Sequence, residues 1–128
     1  YVFLLKTRFE SSITVSINVK NDYLSCLLPP MSLQNLVENC VKHNVASKKC
    51  VLSISIEVES EHIVVRNNLN LKDKMGREST NLGLNYIQSQ IEFFSNKKII
   101  VTQTADEFVV KLPLIYESNL EKDEDITN

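Results

Sequence analysis

The segment "SLQNLVENCVKHN", residues 32–44, carries two patterns at once. With helical spacing its apolar side chains fall within one arc of roughly 140°, and its polar side chains fill an opposite arc of similar width. The apolar arc comprises Leu33, Leu36, Val37, Cys40 and Val41, and the polar arc comprises Asn35, Glu38, Asn39, Lys42 and His43. The spacing therefore predicts an amphipathic helix with one side in the core.

The polar side of this helix has an unusual composition. Asn35 and Asn39 stand one helical turn apart, so their carboxamides point at one spot. Asparagine is a mediocre helix former, because its side chain competes for backbone hydrogen bonds. Two amide oxygens beside the carboxylate of Glu38 are ligands that Mg²⁺ prefers, usually together with waters and phosphates. The segment is either a solvated surface helix or a magnesium–phosphate site, in which Lys42 would meet a phosphate oxygen and Glu38 would orient or deprotonate an attacking group.

Strand patterns flank this helix on both sides. Residues 13–19, "ITVSINV", alternate apolar and polar, which predicts a half-buried strand. Residues 51–58 and 63–67 alternate again around the polar turn "ESEH", which predicts a hairpin. The runs "KIIVTQ" and "FVVKLPL" around "TADE" predict a last hairpin. Residues 1–12 fit the end of an incoming helix or a strand.

A second helix is predicted from residue 82 to residue 95. Its apolar stripe is Leu84, Ile87, Ile91 and Phe94, and Thr80 or Asn81 is a plausible N-cap. The polar, aperiodic segment 68–80 before it is long for a compact domain, and such loops are often functional lids. The order of elements predicts an α+β fold, in which helices cover one face of a single mixed sheet.

The composition limits the class of protein. With 128 residues, 43% of them hydrophobic, the chain suffices for one domain with a real core. With a net charge of −2, the chain lacks the excess of basic residues that typically binds nucleic acid or an anionic membrane. The three cysteines lack CxxC spacing, so we expect reduced thiols that fill the core as small apolar groups. No apolar run approaches the ~20 residues that cross a bilayer, and the start at Tyr1 leads us to expect a piece of a longer protein.

Several motifs, in order, resemble one family. The run "LPPMSLQNLVENCVKHN" resembles the N-box of the GHKL (Bergerat-fold) ATPases and kinases, and in particular the "PPLLLQPLVENAIKHG" pattern of LytS-type sensor histidine kinases. "KTRF" is similar to the family's "KIRF", "VVRNNLN" stands in the place of the G1 box, "STNLGLNYI" in that of the G2 box, and "VVKLPLI" matches the terminal strand. The resemblance covers nearly the whole chain.

The resemblance implies a fold and a site. It implies a two-layer α/β sandwich that holds ATP between the N-box helix, the lid and the second helix. Asn39 would bind Mg²⁺, and Glu38 would be the catalytic acidic residue. Asn35, which the spacing places beside Asn39 as a second Mg²⁺ ligand, stands where many LytS-type members have proline and other histidine kinases have their first N-box asparagine. Lys42 and His43 match the family's "KH" and would reach the phosphates.

Other positions depart from the family pattern. Asn67 stands where the family has the aspartate that accepts a hydrogen bond from the adenine amino group, and Leu69 replaces a following glycine. In the G2 box Asn81 replaces the first glycine and Gly83 remains, while Tyr86 and Gln90 replace an asparagine and an arginine. The predicted ATP contacts in these boxes are Asn67, Asn68, Thr80, Asn81, Leu82, Gly83 and Leu84. The lid cations Lys72, Lys74 and Arg77 either close on the triphosphate or are solvated.

The implied function is that of a catalytic domain in two-component signalling. Residues 13–116 would form the ATP-binding domain, residues 1–12 would end a linker from upstream dimerisation and phosphoacceptor helices, and residues 117–128 would be an acidic, disordered tail. The γ-phosphate would go to a histidine outside this fragment, because His43 lies in the N-box and His62 in an exposed turn. The implied full protein is a homodimer whose partner is a response regulator, with this domain on the cytoplasmic side of a membrane sensor.

Two other functions fit the same residues. A degenerate kinase-like domain could serve as an interaction or dimerisation module, since the G1 and G2 boxes are weakened. A GHKL protein-serine kinase of the anti-sigma type would share the pocket, although "PPMSLQNLVEN" fits it less well.

Overall fold

The computed structural model describes residues 12–20, 32–71 and 81–115. This part of the chain forms one five-stranded sheet and two helices, which confirms the predicted α+β fold. The strands are β1 (Ile13–Asn18), β2 (Leu52–Glu59), β3 (His62–Asn68), β4 (Ile100–Gln103) and β5 (Glu107–Pro113), and the helices are α1 (Ser32–His43) and α2 (Asn81–Phe94).

The sheet is mixed, with the strand order β1-β2-β3-β5-β4. β1 runs parallel to β2, while β2–β3, β3–β5 and β4–β5 are antiparallel pairs. Parallel neighbours need a crossover connection, and α1 lies in the connection between β1 and β2. The antiparallel pairs β2–β3 and β4–β5 are the two hairpins predicted from alternation.

The hydrophobic core lies between the helices and one face of the sheet. On β2 the buried residues are alternate ones, as expected for a strand with one face in the core. Ile87 and Ile91 of α2 are fully buried, and burying a side chain of this size stabilises a fold by about 1.5–3 kcal/mol. The main core residues are Ile13, Leu36, Val37, Cys40, Leu52, Ile54, Ile56, Ile63, Val65, Leu84, Ile87, Ile91, Val110, Leu112 and Leu114.

One member of the predicted stripe of α2 does not lie in the core. Phe94 is 45% exposed, so its assignment to the buried stripe was wrong. Phe94 is the last residue of the helix, and its ring packs edge-to-face against the exposed ring of Phe93, with centroids 5.2 Å apart. The core stripe of α2 therefore ends at Ile91.

The hairpin between β2 and β3 closes with a two-residue turn. Ser60 and Glu61 both have positive φ, at 46° and 63°, which is typical of a type I′ turn. The carbonyl of Glu61 also accepts a hydrogen bond from the amide of Leu114 at 3.0 Å. His62, predicted to be merely exposed in this turn, is instead half-buried at the start of β3, with Nδ1 2.9 Å from the carbonyl oxygen of Ser60.

Arg66 occupies the sheet face opposite the helices. Its guanidinium lies 3.7 Å from a carboxylate oxygen of Glu59 and 3.7 Å from one of Glu107. Arg66 therefore links β2, β3 and β5 on the side of the sheet that does not carry the candidate site.

Some predictions fall on parts of the chain that the structure does not describe. They concern residues 1–11, Cys26, the lid segment 72–80 with Lys72, Lys74, Arg77 and Thr80, and the tail 117–128. Neither α1 nor α2 is long and apolar enough to cross a bilayer.

Candidate functional site

Asn67 is a buried polar side chain on the helix-facing side of the sheet. Its neighbours in the adjacent strands are Ile54 of β2 and Phe108 of β5, and it is only 2% exposed. Its Nδ2 donates to the carbonyl oxygen of Asn68 at 2.8 Å, and its Oδ1 accepts from the Cys40 thiol at 3.2 Å. A carboxamide has two acceptor sites and two N–H donors. Bonding to the described residues thus uses one acceptor site and one N–H of Asn67 and leaves one of each unused by them.

Cys40 lies on the core side of α1, and its thiol contacts Asn67 on the helix-facing side of the sheet. Burial raises the pKa of its thiol to about 12, so the thiol stays protonated and can donate a hydrogen bond to Asn67. The prediction that Cys40 fills the core is confirmed, but its hydrogen bond was missed. The corresponding prediction for Cys50 was wrong, because that thiol is exposed in the segment before β2. Both thiols are free.

Asn44 ties the end of α1 to the chain that follows β3. Its Nδ2 donates to the carbonyl of Cys40 at 2.9 Å, and its Oδ1 accepts from the amide of Asn70 at 2.8 Å. Next to it, the amide of Val45 donates to the carbonyl of Asn70 at 2.7 Å. Asn44 is 3% exposed, so these bonds satisfy a buried helix end. The contact fixes α1 against the strand from which the predicted lid departs.

The outer side of α1 carries the predicted metal and phosphate residues. Glu38 and Lys42 are exposed, while Asn35 and Asn39 are half-buried, so none of the four is packed away in the core. Glu38 accepts a hydrogen bond from Gln34 at 3.2 Å. Within the described ranges no three His, Cys, Asp or Glu side chains cluster as metal ligands. A cation here would have to rely on the amide oxygens, one carboxylate, waters and phosphates.

Two further residues of the predicted ATP site have their side chains engaged elsewhere. Asn68 accepts from the amide of Ser53 at 2.7 Å and donates to the carbonyl of Val51 at 2.9 Å, so its carboxamide ties β3 to the start of β2. Leu84 is on the buried side of α2 and packs in the core. The side chain of Asn68 lies on the sheet face opposite the helices, because it follows Asn67 in β3, and that of Leu84 lies in the core. Either residue could therefore face a nucleotide only through its backbone.

The remaining predicted ATP contacts surround the start of α2. Helix α2 begins at Asn81, so Asn81, Leu82 and Gly83 form its first turn, as the G2 resemblance implies. Their side chains, and all of Thr80, lie outside the described residues. His43, in the last turn of α1, is half-buried. The structure thus brings α1 and β3 together around Asn67, while the contribution of the lid stays a prediction.

The sequence contained a signal for the missed residues. Compared with the LytS-type pattern "VENAIKHG", the chain has Cys40 in place of alanine and Asn44 in place of glycine. Both substitutions place a hydrogen-bonding side chain at a position where the pattern has none. Their partners, Asn67 and Asn70, could not be read from the helix alone, because they lie 27 and 26 residues further along the chain.

Comparisons with known proteins found similarity in sequence and in fold. No family model matches the chain. The chain is 34% identical over 82 residues to the sensor histidine kinase/phosphatase LytS of Staphylococcus aureus strain MRSA252, and equally similar to that of strain Mu50. Each match covers 59% of this chain and 14% of the relative, so the chain spans about a seventh of these curated relatives.

The fold of this chain is also similar to that of a solved structure. The catalytic domain of histidine kinase ThkA is similar to this chain with a TM-score of 0.55 and 18% identity, over 91% of this chain and 90% of that domain. Over 59% of its length the chain is therefore a homologue of the LytS sensor histidine kinases, and its fold is that of a histidine kinase catalytic domain.

Proposed function

We propose that this chain is the ATP-binding catalytic domain of a two-component sensor histidine kinase and transfers the γ-phosphate of ATP to a histidine outside this fragment. The observation that carries the proposal is the buried carboxamide of Asn67, which is held by α1 and uses only one acceptor site and one N–H in its bonds to the described residues. Homology to the LytS kinases and the fold of the ThkA catalytic domain support it.

In this proposal Asn67 recognises the base. An adenine edge offers an amino donor beside a ring-nitrogen acceptor, which the free Oδ1 lone pair and the free Nδ2–H of Asn67 complement. The family's aspartate can only accept, so Asn67 gives up charge assistance but gains a donor.

The outer side of α1 would hold the phosphates and their cation. Asn39 and Asn35 would supply amide oxygens to Mg²⁺, which would neutralise charge on the phosphates, and Glu38 would orient the attacking group. Lys42 and His43 would meet phosphate oxygens. Their half-buried or exposed positions suit contacts with a ligand.

The start of α2 would bind the phosphates from the other side. Free N–H groups at a helix N-terminus favour an anion. Gly83, in the first turn, lets the backbone approach closely. Thr80, Asn81 and Leu82 would complete this contact, and Asn68 and Leu84 would contribute backbone only.

The proposal extends to the whole protein. The full chain would be a homodimer, and its upstream helices would carry the phosphoacceptor histidine and present it to this domain. The phosphate would pass to an aspartate of a response regulator. This domain would lie on the cytoplasmic side of a membrane sensor.

Calorimetric titration with ATP, with and without Mg²⁺, tests the site. We expect the wild type to bind ATP in a magnesium-dependent manner, and Asn39→Ala to lose the magnesium dependence because it removes an oxygen ligand. Asn18→Ala is the matched control, since Asn18 is exposed at the end of β1. Equal magnesium-dependent affinity for Asn39→Ala and wild type would overturn the assignment of Asn39.

A thermal shift tests the broader claim. A ligand at 100 times its Kd stabilises a protein by about 2.7 kcal/mol. A complete absence of stabilisation by millimolar Mg-ATP would contradict nucleotide binding and favour a module that acts only through protein interaction.

A further inference from the structure

The carbonyl group of Asn68 requires a hydrogen-bond donor from its neighbour Asn67. The Nδ2 of Asn67 lies 2.8 Å from this carbonyl oxygen, and a carbonyl oxygen can only accept a hydrogen bond. The Cys40 thiol, 3.2 Å from Oδ1, can donate or accept and therefore suits either end of the carboxamide. The carbonyl of Asn68 is thus the neighbour that distinguishes an amide from a carboxylate at position 67.

The side chain of Asn68 anchors this carbonyl to β2. Backbone pairing of β3 with β2 ends at Asn67. At the next residue the Asn68 carboxamide accepts from the amide of Ser53 at 2.7 Å and donates to the carbonyl of Val51 at 2.9 Å. The residue that carries the carbonyl is therefore held on the sheet face opposite the helices, while its carbonyl bonds to the buried side chain of Asn67.

The backbone of Leu69 keeps the carbonyl turned toward position 67. Its amide donates to the carbonyl of Asp106, in the β4–β5 turn, at 2.9 Å. A half-turn of the Asn68–Leu69 peptide, which would direct its N–H to position 67 instead, would give up that bond and move Leu69 to positive φ. Leu69 now has negative φ, since the described non-glycine residues with positive φ both lie in the β2–β3 turn. Leucine opposes this change, whereas glycine permits it.

We propose that the Asn68–Leu69 peptide makes position 67 specific for a carboxamide, and that Leu69 is a positioning residue for the base-recognising Asn67. The functional part of this inference rests on the proposed ATP site. A carboxylate at position 67 would accept from an amino group with charge assistance, but it would also set two acceptors against each other across the 2.8 Å contact with Asn68. The departures of this chain from the family pattern at positions 67 and 69 are therefore one coupled feature.

A double-mutant cycle on the whole chain tests the coupling. The variants are Asn67→Asp, Leu69→Gly and the two combined. Leu71→Gly, alone and combined with Asn67→Asp, is the matched control, because Leu71 is a half-buried leucine of the same segment that lies outside the Asn68–Leu69 peptide. The readouts are the urea midpoint of unfolding and the Kd for Mg-ATP.

The expected result is a rescue by glycine at one position. In the wild-type background Asn67→Asp should lower the urea midpoint by about 1 M, because a buried acceptor faces another acceptor, and should weaken Mg-ATP binding by about 10-fold. In the Leu69→Gly background both losses should fall to less than about half, because the peptide can turn and offer its N–H. In the Leu71→Gly background both losses should stay as they are in the wild type.

The two readouts separate this inference from the proposed function. If the wild type does not bind Mg-ATP, the ATP site is refuted, and the urea midpoints alone decide whether position 67 requires an amide. Equal stability of Asn67→Asp and wild type, or tighter Mg-ATP binding by Asn67→Asp, would overturn the inference. Equal losses from Asn67→Asp in all three backgrounds would overturn it as well, because burial alone would then disfavour the carboxylate.

Discussion

At the scale of single residues, the two described cysteines occupy opposite environments. Cys40 is buried and hydrogen-bonded to Asn67, whereas Cys50 is exposed. Only the thiolate is a nucleophile, and a thiol whose pKa is raised by burial is unreactive at neutral pH. The raised pKa of Cys40 also links this residue to the stability of the fold.

Alkylation distinguishes the two thiols. At pH 8 we expect iodoacetamide to modify Cys50 readily and Cys40 only after unfolding, because Cys40 is both protonated and inaccessible. Peptide-level mass spectrometry reports each cysteine separately. Modification of both at the same rate in the folded chain would show that Cys40 is not protected.

Alkaline pH gives a second measurement of the same thiol. The pKa of about 12 in the folded state lies above the ordinary thiol pKa of 9.0, so between these values the unfolded state loses its proton first. The stability that Cys40 contributes is therefore fully present below pH 9 and is lost as the pH rises toward 12. In urea titrations at pH 7 to 10.5, wild type should lose more stability than Cys40→Ala. Parallel curves for the two proteins would contradict this.

The sequence predicted Cys40, Asn35 and Asn39 on their sides of α1, because helical periodicity determines which residues share a side. It could not predict the bond between Cys40 and Asn67, which depends on how α1 lies across β3. The engagement of Asn68 was equally hidden. Alternation predicts that Asn67 and Asn68 face opposite sides of a strand, but not that Asn68 bonds to the backbone of Val51 and Ser53.

At the scale of elements, the end of α1 depends on a side chain. The last carbonyl groups of a helix have no hydrogen-bond partner within the helix. The side chain of Asn44 donates to the carbonyl of Cys40 and accepts from the amide of Asn70. One buried residue therefore both ends the helix and joins it to a second segment.

We expect Asn44→Ala to lower the free energy of unfolding by about 2 kcal/mol, because it leaves a buried carbonyl and a partly buried amide without partners. Urea unfolding measures the change, with Asn18→Ala as the exposed control for the same substitution. A loss no larger than that of the control would show that water replaces the Asn44 bonds.

The turn between β2 and β3 uses residues that are poorly suited to it. Ser60 and Glu61 both have positive φ, where glycine and asparagine are favoured. We expect Glu61→Gly to raise stability by about 1 kcal/mol, since it relieves the left-handed conformation. Ala105→Gly, in the other hairpin and without positive φ, is the control and should lose stability. If both glycine variants lose stability equally, the turn is not strained.

The sequence pattern predicted the helices and strands better than it predicted where each one stops contacting the core. The hairpins at β2–β3 and β4–β5 were predicted because alternation and turn residues agree over several positions. Phe94 was misplaced because periodicity continues beyond the point where a helix still lies over the core. Only the three-dimensional arrangement reveals that point.

At the scale of the whole molecule, helices cover one sheet face and the predicted site lies on that face. Arg66, with Glu59 and Glu107, occupies the opposite face. The chain contains two histidines, and both are part of the described fold: His43 ends α1, and His62 begins β3. Neither lies on a helix before β1, where the family carries its phosphoacceptor.

The chain by itself should therefore bind ATP without phosphorylating itself. Incubation with radiolabelled γ-phosphate ATP should leave it unlabelled, while a separately supplied phosphoacceptor hairpin from the full protein should become labelled. His43→Gln and His62→Gln identify the source of any background. Labelling of the isolated chain that disappears in one of these variants would contradict the proposed acceptor.

The Ser60–Glu61 turn has a consequence at the far end of its strand. Because the turn has two residues, it pairs Glu59 with His62 and thereby sets the position of everything that follows in β3. Displacing that strand by a single position would exchange its two sides. Asn67 would then leave Cys40, and the bulky, cationic Arg66 or the neighbouring Asn68 would be pushed toward the helix instead. An insertion of one amino acid far from any nucleotide could thus abolish recognition without changing any residue that the ligand contacts.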